Sequence, residues 1–172
     1  MKFYQKRGFA LLVLILAIVG AGAWGLHKKP ADLPEVRQNI WLLDDADILS
    51  EQTEELINEY NATWDEKYLA VMAVVTVDNM DGWTYEKYAD AIGERWQLGQ
   101  DDLLLLIVKD QYGYIRAGDR VWDYVSGTNL RDKLNAALNQ IKPSGDVDGA
   151  VVKIFRQADV VFAQNYQNIT KR

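Results

Sequence analysis

The chain has 172 residues, no cysteine, one histidine and a net charge of −6. Without cysteine, a disulfide framework, a thiolate metal site and a cysteine nucleophile are excluded. The single histidine, His27, sits at the flank of the N-terminal apolar run, which removes a Ser-His-Asp triad and histidine metal ligation.

Charge divides the chain. Residues 1–30 hold five of the 19 Lys+Arg and none of the 25 Asp+Glu, so the remainder carries 14 basic against 25 acidic residues, a net −11. An acidic domain of this kind repels nucleic-acid phosphates and anionic headgroups. No G-x-x-x-x-G-K-[ST] or G-x-G-x-x-G occurs, so neither nucleic acid nor nucleotide is expected as a partner.

Lys2, Lys6 and Arg7 precede an uncharged run from Gly8 to Leu26, closed by His27, Lys28 and Lys29. Eighteen to 19 helical residues just cross a bilayer core about 30 Å thick. Residues 1–29 therefore read as a single N-terminal transmembrane anchor contacting the membrane through residues 8–26. The rival reading is a signal peptide cleaved at Ala21-Gly22-Ala23. Either places the following domain on the extracytoplasmic side: membrane-bound and single-pass if the segment stays, secreted if it is removed. Residues 30–39, with two of the three prolines, read as a linker.

The domain proper is expected over residues 40–168. Ile40–Leu43 predicts a short edge strand. Ser50 opens a helix with Leu49, Thr53, Leu56, Ile57, Tyr60 and Trp64 at three- and four-residue spacing and acidic residues at its N-terminal end. Leu69–Val77 is a continuous apolar run typical of a strand buried on both faces. A helix over 84–96 follows, then a second fully apolar strand, Leu103–Val108, reached by a crossover long enough for a right-handed βαβ unit. Asp110–Gly113 turns the chain into an antiparallel strand, Tyr114–Ala117. A third helix carries Leu130, Leu134, Leu138 and Ile141, and a last one runs over 146–166. Helices alternating with doubly buried strands predict an α/β fold: a three-layer α/β/α sandwich on a mixed, mainly parallel sheet, preceded by the transmembrane helix.

The chemistry left open is carboxylate chemistry at loops. Ligands of open α/β sheets collect beyond the carboxyl ends of the parallel strands. Asp44 and Asp78 follow the first two strands, Asp101 and Asp102 precede the third, and Asp119 follows the fourth. Clustered, they would invite a hard cation, Ca²⁺ or Mg²⁺; singly, they would cap turns and face water. Asp44-Asp45-Ala46-Asp47 only superficially resembles a D-x-D phosphatase nucleophile, and Asp78–Gly82 does not fit an EF-hand loop. Arg116 or Arg120 could meet a phosphate. Asn61-Ala-Thr and Asn168-Ile-Thr are glycosylation sequons.

The segment WLLDDADILS, then VVTVDNMDG, then ERWQLG before LLLLIV, then a strand ending at Gly118, resembles the TPM domain family. Asp44, Ala46, Leu49 and Ser50 match its opening motif, Val75 and Val77 its V-x-V strand, and Trp96, Leu98 and Gly99 its W-G-L-G-like turn. The likeness spans about residues 40–166 and implies the same sandwich. Gln97 replaces the first glycine of the turn, Asp101-Asp102 stand where Asn-Gly is usual, and Gly118-Asp119-Arg120 departs from G-x-G-L-E. Family members are secreted or membrane-tethered. One plant thylakoid member is described as an acid phosphatase of photosystem repair, another class modulates a receptor, and some bind calcium in an acidic cavity. The resemblance maps Asp44 onto the motif aspartate and Asp101 or Asp102 onto the loop after the turn. Two functions follow as expectations. One is a non-catalytic tethered module binding a protein partner in an envelope complex, with Trp83, Tyr85, Trp122 and Tyr124 as surface aromatics. The other is a metal-dependent phosphomonoester hydrolase. A purely structural envelope role would need neither site.

Overall fold

A computed structural model describes residues 33–35, 41–126, 129–141 and 145–170. The expected anchor, most of the linker and Ile40 lie outside the described residues. Among the described residues no helix is long and apolar enough to cross a membrane.

Four strands form one sheet in the order β1 (Leu42–Asp44), β2 (Met72–Val77), β3 (Leu103–Val108) and β4 (Gly113–Ala117). The first two pairings are parallel, with Leu42 opposite Val74 and Met72 opposite Leu103. The last is an antiparallel hairpin with Leu103 opposite Ala117. Every residue of β2 and β3 is buried. That is the expected result for apolar runs with no polar face to offer solvent.

The two sheet faces are covered unequally. Met72, Val74, Leu103, Leu105 and Ile107 join a core completed by α1 (Glu51–Tyr68), α3 (Asp119–Ser126), α4 (Leu130–Leu138) and α5 (Val147–Thr170). The alternate residues meet the other layer, where α2 (Tyr85–Arg95) alone packs on β3 and β4 and buries Tyr88, Ala89 and Ile92. Among the described residues the three-layer architecture is thus four helices, sheet, one helix. Trp64 anchors the heavier side. It is fully buried, stacked on Phe155 with centroids 5.3 Å apart and edge-on to Phe162 at 4.9 Å, and its indole N–H donates to Asp159 at 2.8 Å.

Helix α1 starts where Ser50 accepts a hydrogen bond from the Thr53 amide, and Glu51 and Glu54 sit in its first turn. It ends at Leu69, whose φ of 52° is left-handed and whose amide donates to Asp65. Leu69 is 78 % exposed. It closes the helix and does not begin the strand, although its apolar character joins it to the run in the sequence. Asn61, expected as a sequon residue, is fully buried: its side chain donates to the Met72 carbonyl at 3.0 Å and accepts from the Met72 amide at 2.7 Å. It splices α1 onto the start of β2, and a buried, doubly bonded amide is no glycan acceptor.

Helix α3 is the element the sequence reading did not anticipate. It buries Val121 and Val125 and half-buries Tyr124 against the core, so its inward residues fall at i, i+3 and i+4 over barely two turns. Gly118 makes its start: a Cβ there would lie 2.4 Å from the Gln100 carbonyl oxygen, which accepts from the amides of Arg120 and Val121. Asp119 is therefore the first residue of a helix, not the free exit of a strand.

Gln97, standing where the resemblance expects glycine, has a φ of 54°. A left-handed non-glycine residue costs roughly 1–2 kcal/mol, offset in part by the greater chain entropy of glycine. Gln97→Gly is expected to raise stability by up to about 1 kcal/mol. Gly118→Ala should lower it by about 1–3 kcal/mol through backbone overlap. Urea unfolding of both variants checks the two signs.

Candidate functional site

Topology sorts the five candidate carboxylates. β1, β2 and β3 are parallel, so Asp44 and Asp78 lie at their carboxyl ends. Asp101 and Asp102 precede β3 at the opposite rim, and because β4 runs backward its exit delivers Asp119 to that same opposite rim. The expected single cluster is therefore two groups at opposite ends of the sheet.

At the carboxyl rim Asp44 faces the protein itself. Its carboxylate accepts from the amides of Ile48, at 3.1 and 3.2 Å, and Leu49, at 2.9 Å, and from the Thr76 hydroxyl. Thr76, fully buried in β2, accepts in turn from the Ala46 amide at 3.1 Å. The opening motif now has a physical meaning. Asp44 closes the loop, Ala46 is small because it is buried, and Ser50 caps α1. The Ser50 amide also donates to Asp148 on α5 at 3.0 Å, fastening the N-terminal ends of two helices. Burial works to raise the Asp148 carboxyl, but hydrogen bonds from the Ser50 amide and from the Thr53 and Ser50 hydroxyls outweigh it and hold it below the ordinary value.

Asp78 is exposed and pairs with Lys109 at 3.7 Å, while the Lys109 ammonium donates to the Ala46 carbonyl at 2.8 Å. Beside them a cleft of about 420 Å³ opens between Ile48, Ile107, Lys109, Asp110, Ile141 and Val147. It lies where ligands of open α/β sheets collect, yet Asp44 and Asp78 do not line it.

At the opposite rim Asp102 is a brace. It accepts from the Val71 amide at 2.9 Å and the Gly99 amide at 2.6 Å, tying the entry of β2 to the turn before β3. Burial pushes its carboxyl up, and the charges of Asp101 and Asp65 add to the rise against those two bonds. Asp101 pairs with Arg120 and accepts from Asn165 at 3.2 Å, so it latches α3 and α5 together. Asp119 is exposed at the start of α3.

A hard divalent cation draws on about six or more oxygens, with carboxylates converging. Among the described residues no three Asp, Glu or His side chains come together in that way. Asp44 and Asp102, both half-buried, are occupied by protein N–H and O–H groups. The residues do not fit a common cation site, and neither arginine supplies a phosphate clamp there. Arg116 lies across α2 with Nε on Asp90 at 3.0 Å, while Arg120 stands at the far rim. Of the four expected surface aromatics, Trp122 is 44 % exposed and the other three are half-buried. Thr76 and Asp148 escaped the sequence reading. The signal for Thr76 was a lone hydroxyl inside an apolar strand, which must find a partner.

Asp44→Ala should cost about 2–4 kcal/mol, because it leaves two amides and a buried hydroxyl without their acceptor. Thr76→Val should cost less, since it strands only the Ala46 amide and leaves Asp44 its amide partners. Chemical denaturation measures both. Asp148, with its lowered carboxyl, contributes stability that is complete above the ordinary carboxylate value and is lost as pH falls through its depressed one. Asp102, shifted upward, acts in the opposite sense, favouring the fold as pH falls from its raised value toward the ordinary one. Stability followed from neutral to strongly acid pH should therefore show a shallower acid loss for Asp148→Asn.

Comparison with known proteins agrees with this architecture. The N-terminal domain of a protein from P. gingivalis, solved by solution NMR, superposes with a TM-score of 0.64 at 22 % identity, covering 78 % of this chain and 94 % of that one. The N-terminal domain of the cg2496 protein from Corynebacterium glutamicum gives a TM-score of 0.56 at 18 % identity, covering 77 % and 85 %. At such identities the likeness is one of fold. No curated protein matches the chain. The TPM domain family model matches residues 42–161, from the first residue of β1 well into α5, and the chain belongs to the TPM domain family.

Proposed function

We propose that the chain is a membrane-tethered, extracytoplasmic TPM domain that works as a binding or accessory module of an envelope protein complex. The observation that carries this reading is the use to which its acids are put. Asp44, Asp101 and Asp102, onto which the resemblance would place the acidic site, hold a loop, two helices and a turn in place. A domain whose motif residues are consumed by its own scaffold has its surface, not a catalytic centre, to offer. The tether in this reading is residues 8–26, with residues 30–39 as the spacer that frees the domain from the bilayer.

The native chain has no cysteine, so a single introduced thiol reports location without background. Asn58→Cys, on the exposed side of α1, should react with a membrane-impermeant maleimide in intact cells, and the labelled chain should sediment with membranes. Labelling only after lysis would place the domain inside and end the reading. The purified chain should leave p-nitrophenyl phosphate intact with Ca²⁺ or Mg²⁺ present. Metal-dependent hydrolysis abolished by Asp78→Asn would replace the binding module with a hydrolase.

A further inference from the structure

The domain is strongly acidic, yet one groove on it is basic. On α4 and the turn after it, Lys133, Ala136, Ala137 and Gln140 fall three and four residues apart and form one stripe. On α5, Lys153, Arg156 and Gln157 form another. The two stripes face each other across a groove of about 370 Å³ lined by these seven residues, none of them acidic. Lys153 donates to Gln140 across it at 2.9 Å, which holds one ammonium over the opening.

These cations stand together: three of them line one groove, whereas the other exposed cations without a described ion pair, Lys67 and Lys87, lie apart on α1 and α2. Among the described residues the ion pairs join Arg95 to Glu35, Lys109 to Asp78, Arg116 to Asp90 and Arg120 to Asp101. Lys133, Lys153 and Arg156 are exposed and pair with no described carboxylate, in a chain where residues 31–172 hold 25 of them. Between the three cations the floor is apolar and small-featured, because Ala136 and the buried Ala137 hold the groove open where longer side chains would fill it.

We propose that this groove docks an acidic segment of a protein partner, with carboxylates pairing to Lys133 on one wall and to Lys153 and Arg156 on the other. The aliphatic atoms of the segment lie on Ala136 and Ala137. The proposal deepens the binding-module reading and rests on it. Charge complementarity sets the sign of the occupant and the shape sets its class. A free phosphate is held by converging amides at a helix N-terminus or a nest, whereas here the donors stand on two separate helix flanks with an apolar strip between them. That spacing suits an elongated ligand bearing several charges. A flat anionic bilayer cannot enter a groove between helices, and it meets a domain of net −11. A short acidic segment feels mainly the local field within about 10 Å at moderate salt.

The test uses the full chain in neutral detergent and a fluorescent helical peptide presenting Glu on one face and Leu on the strip between. The peptide should bind, and binding should weaken markedly as NaCl rises from about 50 to about 500 mM. The charge reversal Lys153→Glu/Arg156→Glu should weaken it by about tenfold or more. A Gln-for-Glu peptide should not bind. Circular dichroism of the exposed-site variant confirms that it is folded. Equal affinity for the reversed and native chains overturns the groove, as does peptide displacement by low millimolar inorganic phosphate, which would assign it to a phosphate ligand. If native and reversed chains cross-link to the same neighbours in membranes, the partner docks elsewhere: the groove fails and the binding-module reading stands. Metal-dependent phosphatase activity would instead remove the reading beneath it.

Discussion

The hydrogen bonds that converge on Asp44 set the geometry on which the rest of this domain depends. A three-residue edge strand has little pairing of its own to hold it, and here its last residue reaches across to Thr76 in β2 and forward to the amides of Ile48 and Leu49. Those contacts fix where α1 begins. Ser50, placed by that loop, then caps α1 and fastens it to Asp148, so α5 is registered against the same corner. Break the corner and the two helices that bury Trp64 lose their common origin. The amides and hydroxyl concerned are sheltered from solvent and have no alternative acceptor in view, so the carboxylate contributes more through what its absence would strand than through any single bond.

The other end of the sheet is organised on the same principle by different residues. Asp102 gathers two amides, Asp101 gathers Arg120 and Asn165, and the Gln100 carbonyl receives the first turn of α3. Three consecutive residues thus orient β2, α3 and α5. Acidic side chains at both rims act as joints. This accounts for a resemblance motif rich in aspartate without requiring those aspartates to meet.

How much of this could be read from the chain depended on which physical signal each element emits. β2 and β3 were legible because burial on both faces leaves an uninterrupted apolar run. α1 was legible because Ser50, its acidic first turn and its apolar spacing agree. Leu69 was misplaced because hydropathy does not record a left-handed φ, and an exposed leucine closing a helix looks like the first residue of a strand. α3 is hard to read because eight residues make barely two turns, shorter than the window of about 11 residues in which a helical period stands out, although Val121, Tyr124 and Val125 do share one face. The carboxylates were individually visible, but their grouping depended on strand direction. An antiparallel β4 already suggests from the sequence that Asp119 leaves at the other rim; that it joins Asp101 and Asp102 there, and not Asp44, follows from the sheet. The basic groove is likewise invisible to spacing, since its two walls come from helices that meet only on folding.

Gly118 shows what kind of information a family likeness of this sort conveys. The glycine is imposed by a carbonyl oxygen that leaves no room for a single carbon atom, whatever the domain later binds or transforms. Selection that preserves only the architecture would keep it, and would keep the corner around Asp44 as well. Two descendants of one ancestor can then share every signature residue while one retains a reaction and the other has abandoned it.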